Sequence, residues 1–238
     1  VEAGIARSGK LDLATTAAPS AVFRDLQGGG EAVRRDGLNT LQGALGGLQV
    51  GYRFGRAGWS YAAVASYTAA DLEKTVIDDA ACPADLCVID DRFTSRLSSL
   101  LMLSGRVGRQ RGANLLYLQA GAVRGKYDLT IDDININAFG AVSAGLNTGT
   151  ASAGRWLNGL HVGIGDEYRL TDLLSIGVSY THVIFQSATL NAQGSGFCAP
   201  SSNSPLCVGK LSQNVAGDYP MRLTRPSLDR VQVQLIFF

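Results

Sequence analysis

His182 is the histidine with a catalytic reading. An imidazole beside a serine could draw off the hydroxyl proton, and an acid would then hold the imidazole in place. The run Tyr180-Thr181-His182-Val183-Ile184 offers no serine at the same-face position that His182 would need. Ser187 and Thr181 are close only in sequence, and no neighbouring acid completes the set. The expectation is an outward interfacial histidine, no catalytic residue and no enzyme.

The four cysteines fall as two close pairs, Cys82 with Cys87 and Cys198 with Cys207. Metal binding would ask for C-x-x-C spacing or nearby histidines, and the only histidines are His161 and His182. Each pair sits in a stretch rich in Asp, Ala, Ser, Pro and Asn, so two local disulfides in an oxidising compartment are expected. Each would close a short loop and contribute about 2–3 kcal/mol, mainly by restraining the unfolded chain. A stiffened loop tip serves recognition or resists proteases, and the residues do not separate the two.

Carboxylates gather at Asp78, Asp79, Asp85, Asp90 and Asp91, and again at Asp128, Asp132 and Asp133. They could hold Ca²⁺, but the spacing matches no D-x-D-x-D-G loop, and a solvated acidic surface is the reading. Gly28-Gly29-Gly30 lacks the helix and lysine of a phosphate-binding loop. No metal site and no cofactor are expected.

The elements that position these groups follow from alternation with a period of two. Leu174-Ser-Ile176-Gly-Val178-Ser-Tyr180 puts large apolar residues on one face and small ones on the other. Leu160-His-Val162-Gly-Ile164-Gly, Leu48-Gln-Val50-Gly-Tyr52-Arg-Phe54 and Val231-Gln-Val233-Gln-Leu235 repeat it. A soluble sandwich would carry Lys, Glu and Asp on its minor face; here that face is mostly Gly, Ser, Ala and Gln. The 29 glycines, against 6 prolines, lie inside apolar segments, as a narrow inner wall would require. Bulky residues then face lipid and small or polar ones fill a tight interior.

Eight strands can be laid out: Val1–Leu13, Thr40–Phe54, Gly58–Glu73, Asp91–Gly108, Ala113–Ile131, Ser152–Leu170, Asp172–Leu190 and Arg222–Phe238. Short connections, Gly55-Arg56-Ala57, Arg109-Gln110-Arg111-Gly112 and Leu170-Thr171-Asp172, alternate with long ones. The long ones are 14–39, 74–90, 132–151 and 191–221. Residues 1–238 are thus read as a single domain, an all-β, eight-stranded antiparallel transmembrane β-barrel with four long extracellular loops. An unpaired backbone group in hydrocarbon costs several kcal/mol, so the first strand must close on the last. The even strand number brings both termini to the short-turn, periplasmic rim. There Tyr52, Phe54, Trp59, Tyr61, Tyr168, Phe237 and Phe238 would form an interfacial aromatic belt.

The chain has no run near the roughly 20 apolar residues of a spanning helix, and the best, Leu100-Leu101-Met102-Leu103, stops at Ser104-Gly105-Arg106. A short turn of helix at Ala21–Leu26 is the only helical segment expected. The start at Val1, without a charged-then-apolar leader, fits a removed signal peptide or a later start. Net charge is +1, which argues against nucleic acid as a partner.

In phase, the lumen receives Glu2, Gln49, Arg53, Arg106, His161 and Glu167. Charges in a narrow interior must pair. Arg53 and Arg106 are expected to meet Glu2 and Glu167 in a network that fills the barrel, with a polar path for small solutes as the alternative. Asp166 is the misfit, on the lipid-facing side near the rim; a carboxylate costs little there, or it marks a contact with another subunit.

Gly43-Ala-Leu-Gly-Gly-Leu-Gln-Val-Gly-Tyr52, Ser104-Gly-Arg-Val-Gly108 and Gly159-Leu-His-Val-Gly-Ile-Gly-Asp-Glu-Tyr168 resemble a known pattern. The chain is similar to the small eight-stranded outer-membrane proteins of alphaproteobacteria, the opacity-protein-like or porin-family surface antigens. Arg109 stands where that family has a tyrosine ending the fourth strand. The resemblance implies a terminal-Phe assembly signal, although the alternating apolar set here ends on Phe237 rather than Phe238. It also implies surface roles such as adhesion, host recognition or haem capture; no haem-ligand pair is identifiable.

The expectation is therefore a bacterial outer-membrane protein, structural and non-enzymatic, that presents recognition loops. Its partners would be outer-membrane lipids, lipopolysaccharide and an envelope or surface protein. A narrow porin, or an anchoring subunit of a larger envelope assembly, is the alternative.

Overall fold

Three tight turns set one rim. Ala57 and Gly58 both take positive φ, 53° and 79°, between the paired Arg56 and Trp59. That is a two-residue type I′ hairpin, whose twist matches its strands. Gly112 at φ 61° leads the turn between Arg111 and Asn114. The third turn, at Asp172-Leu173, is braced by the Leu173 amide on Thr171 Oγ1 at 3.2 Å.

In the computed structural model the described residues are 1–9, 11–15, 34–38, 40–78, 89–136, 148–198 and 213–238. They form β1 (Glu2–Ser8), β2 (Leu11–Thr15), β3 (Arg34–Leu38), β4 (Gln42–Arg56), β5 (Trp59–Asp78) and β6 (Ile89–Arg111). β7 (Asn114–Ile136), β8 (Thr148–Thr171), β9 (Leu174–Phe185), β10 (Ala188–Phe197), β11 (Asn214–Thr224) and β12 (Ser227–Phe237) follow. Every pairing is antiparallel, and eight of the strands form a ring: β4–β5–β6–β7–β8–β9–β12–β1 and back to β4. This ring of eight is closed, as the cost of bare backbone in hydrocarbon demands. No helix among the described residues is long and apolar enough to cross a membrane.

Three expected strands are each split in two. Val1–Leu13 becomes β1 and β2, Asp172–Leu190 becomes β9 and β10, and Arg222–Phe238 becomes β12 preceded by β11. The breaks lie at Gly9, Gln186-Ser187 and Arg225-Pro226, level with the β3–β4 junction. Proline and a positive φ of 37° at Arg225 account for one of them. The backbone groups at this seam are satisfied across strands. The Ser8 amide donates to the Leu41 carbonyl at 2.7 Å and Gly9 to Ser227 at 3.0 Å. Phe185 donates to Pro226 at 2.8 Å, and Arg225 to Ser187 Oγ at 3.2 Å. Above the seam the sheet continues as β8–β10–β11–β2–β3. Strand also extends into the stretches expected as loops: β5 runs to Asp78, β7 to Ile136 and β10 to Phe197.

Each break shifts the alternation by one residue, which sends the next side chains to the opposite face. In β1 the odd-numbered Ile5 faces out, yet in β2 the odd-numbered Leu11 and Leu13 are buried. Val183 and Phe185 point inward from β9 and Leu190 and Ala192 from β10, on opposite parity. Met221 and Leu223 are likewise out of phase with Leu228 and Arg230. A bulge at Leu97–Ser99 does the same within β6, so Phe93 and Leu97 join Leu100 and Met102 inside.

The expected interior of small and semi-polar side chains is therefore corrected for half the barrel. Above the seam the lumen holds Phe93, Leu72, Tyr127, Leu129, Ile131, Leu190, Met221 and Leu223, all nearly fully buried. Below it the expected arrangement holds. Leu48, Val50, Val162, Ile164, Val178, Val231 and Val233 face outward, and Gly, Ser, Gln and charged residues line the inside.

Candidate functional site

The polar tier lies between the apolar plug and the short-turn rim. β8 alternates Gly163, Gly165 and Glu167 inward because the inner wall has little room: a Cβ at Gly165 would overlap the Tyr117 ring. Glycine on one strand thus makes space for an aromatic on the next.

Glu2, Gln49, Arg53, Arg106, His161 and Glu167 all project into the lumen. Arg53 Nη2 from β4 donates to Glu167 Oε2, and Arg106 Nη1 from β6 to Glu167 Oε1 at 3.4 Å. Glu167, 2 % exposed, therefore serves two guanidinium groups. Arg106 also donates through Nη2 to Gln49 at 2.9 Å and through Nε to Gln119 at 3.2 Å. Its guanidinium lies 4.8 Å from the centre of the Tyr117 ring, a cation–π contact. From there the network crosses the barrel, Gln119 to Thr181 at 2.7 Å, Gln49 to Gln234 at 3.1 Å, and Gln234 to Ser179 at 3.0 Å.

Glu2 does not join that pair. Its carboxylate accepts from Thr68 Oγ1 at 2.5 Å and from Gln232 Nε2 at 2.7 Å. Arg230 donates to the same Thr68 oxygen at 3.4 Å. Ser104 Oγ and His161 Nε2 are 3.1 Å apart. The expected four-residue cluster is thus two sets that share no hydrogen bond among the described residues, because Glu2 reaches Thr68, far along β5 from its tight turn, while Glu167 reaches Arg53 close to that turn. Arg230, Gln119, Thr181, Gln232 and Gln234 were not expected there. Gln232 and Gln234 had a signal, as the polar interruption of the terminal alternation, and Arg230 shares their phase.

The aromatic belt has Tyr52, Phe54, Trp59, Tyr61, Tyr168 and Phe237 on the outside near the tight turns. Phe54 stacks on Tyr61 at 5.3 Å. Phe238 differs. The Arg53 guanidinium stands 5.2 Å from its ring centre, so Phe238 lies against a lumen side chain while Phe237 faces outward. Asp166 is exposed on the outer wall, between Leu116 and Val178 in register.

The expectation that His182 lacks an acid is overturned. Asp229, opposite it on β12, accepts from His182 Nδ1 at 2.7 Å and from Tyr180 Oη at 2.5 Å. The trio lies on the outer face, and among the described residues no hydroxyl nucleophile is hydrogen-bonded to His182.

Cys198 is buried and disulfide-bonded. Cys82, Cys87 and Cys207 lie outside the described residues, as do Gly28-Gly29-Gly30, Ala21–Leu26, Asp79 and Asp85. Register sets Asp78 beside Asp91 and Asp91 beside Asp133. No cluster able to hold a metal ion exists among the described residues.

The family model for the outer membrane protein beta-barrel domain matches residues 13–199. The chain belongs to that outer-membrane β-barrel family. Its localisation is the outer membrane, in keeping with the closed wall and apolar exterior. Solved structures to which the chain is similar include Ail, the attachment invasion locus protein of Yersinia pestis. That match is 14 % identical with a TM-score of 0.33, covering 94 % of this chain and 97 % of that one. OprG from Pseudomonas aeruginosa is 9 % identical with a TM-score of 0.39, covering 100 % and 97 %. The toluene transporter TodX of P. putida is 8 % identical with a TM-score of 0.22, covering 100 % and 89 %. No curated protein matches.

Proposed function

We propose that this barrel is a non-enzymatic surface protein: a sealed scaffold with both termini periplasmic that presents its long loops outside the cell to a protein or envelope partner. The observation that carries this reading is the filled lumen. Two glutamates are engaged by arginine, threonine and glutamine donors in the lower half. The upper half is packed with side chains such as Phe93, Leu129 and Ile131 that are at most 1 % exposed. An eight-stranded barrel is just wide enough for such filling, and the apolar side chains of the upper half stand between the long-loop rim and the space of about 580 Å³ beside Arg53 and Arg106. What remains for function is the rim of long connections. Pairing of Cys82 with Cys87 and of Cys198 with Cys207 would stiffen two of these loops and lower the entropy lost on docking.

Two measurements test it. Protease or membrane-impermeant labelling on intact cells should reach residues in the 14–39, 79–88, 137–147 and 199–212 stretches and spare the Ala57-Gly58 turn. Purified protein in planar bilayers should give no reproducible conductance. Steady single-channel steps that change on Arg106→Gln would replace this reading with a narrow porin.

A further inference from the structure

The outer wall is not evenly bulky. Across β4, β5, β6 and β7 the register sets Val50, Ala65, Leu103 and Ala122 side by side. One step higher it sets Leu48, Tyr67, Leu101 and Arg124. Large residues on β4 and β6 thus flank alanines on β5 and β7, leaving an almost wholly apolar groove of about 780 Å³ on the lipid-facing surface.

Its upper end is charged. Arg124 is exposed at the mouth of the groove, with its guanidinium 5.6 Å from the centre of the Trp156 ring on β8. Lys126, two residues on along the same face, stands opposite Trp156 in register. Neither cation is ion-paired with a carboxylate among the described residues. The two cations therefore bracket an aromatic at the level where the apolar wall gives way to polar side chains.

We infer that this groove holds one acyl chain of a lipid A-type glycolipid, with a phosphate of its headgroup bound between Arg124 and Lys126. An apolar trough with Arg124 in its lining and Lys126 beside it, neither paired with a carboxylate among the described residues, is complementary to a molecule with an acyl chain joined to an anionic head. The choice of lipid A over a glycerophospholipid rests on the reading above, because the charged end lies towards the long loops and so in the outer leaflet.

The test is native mass spectrometry of the full chain in mild detergent with added lipid A, phosphatidylglycerol or phosphatidylcholine. A lipid A adduct should dominate. It should fall by about tenfold or more in the Arg124→Gln/Lys126→Gln variant, each basic group near a lipid surface contributing a factor of about five. Ala122→Trp, which fills the groove and keeps both charges, should lose the adduct as well. Heat-modifiability on gels shows that each variant is folded. Undiminished lipid A on either folded variant, or equal retention of phosphatidylcholine, overturns the site. A preference for phosphatidylglycerol overturns lipid A as the occupant. Whole-cell labelling reports the orientation separately, so a failure of the surface reading is distinguishable from a failure of the groove.

Discussion

Arg106 and Glu167 meet at 3.4 Å inside the barrel, from β6 and β8, two strands that are not neighbours in the wall. The contact bridges over β7, and with Arg53 arriving from β4 it ties three strands through one carboxylate. Such a group resists removal more than it resists joint replacement, because without Glu167 the Arg106 side chain, 9 % exposed, is a buried, unneutralised charge.

Glu167→Gln should therefore destabilise the barrel by about 3–5 kcal/mol, the range for breaking a buried pair. Glu2→Gln should destabilise on the same scale, since Glu2 accepts from Thr68 and Gln232 and is a carboxylate whose charge acts on Arg230, which is 3 % exposed. Urea unfolding followed by gel mobility measures both. A loss under about 1 kcal/mol at either would mean that its carboxylate does not neutralise a buried arginine.

Two glycine substitutions separate the inner wall from the outer. A methyl at Gly121 would overlap the Leu103 carbonyl and come within 2.9 Å of His161 Nε2. Gly121→Ala should cost about 1–3 kcal/mol as overpacking. At Gly46 nothing lies within 4 Å of an added Cβ. Gly46→Ala should be neutral or stabilise by roughly 0.4–1 kcal/mol, by restricting the unfolded chain. Equal effects at both sites would count against the assignment of faces.

Leu129→Ala in the plug should destabilise by about 2–5 kcal/mol through loss of burial and the cavity left behind. It should still give no conductance, because the polar tier beneath it is untouched. The same planar-bilayer recording reads this outcome, and stable channel openings in the single variant would show that the plug alone seals the barrel.

His182→Ala should leave the lipid A mass spectrum of expressing cells unchanged, as should expression of the parent chain against an empty vector. Asp229 keeps its Tyr180 donor in the variant, so stability should fall by only about 1 kcal/mol, the worth of one hydrogen bond. Altered acylation that depends on His182 would make the Asp229–His182 pair part of an enzyme.

The lower half of the barrel was legible in the residues. Leu48, Val50 and Tyr52 alternate with Gln49 and Arg53 without interruption, so facing outward or inward follows from parity alone. The short connections were legible only approximately: expected at Gly55-Arg56-Ala57 and Arg109-Gln110-Arg111-Gly112, the turns fall at Ala57-Gly58 and Gly112-Ala113, because the strands pair on to Arg56 and Arg111. Asp229 was not legible as the partner of His182, since 47 residues separate them and only the β9–β12 register brings them together.

By itself, then, the chain determined its class, its membrane-facing surface below the seam, and the inward facing of Glu2, Arg53, Arg106 and Glu167. Period-two patterning is a local property, carried by the pleat of each strand. The tertiary structure decided the rest: the plug of Leu13, Phe93 and Leu223, the inward facing of Arg230, the separation of Glu2 from Glu167, and the placing of Phe238 against Arg53. The reason is geometric. A one-residue slip at Gly9, Gln186-Ser187, Arg225-Pro226 or the β6 bulge reverses every side chain beyond it, and contacts across a closed wall depend on the stagger of strands that never touch in sequence.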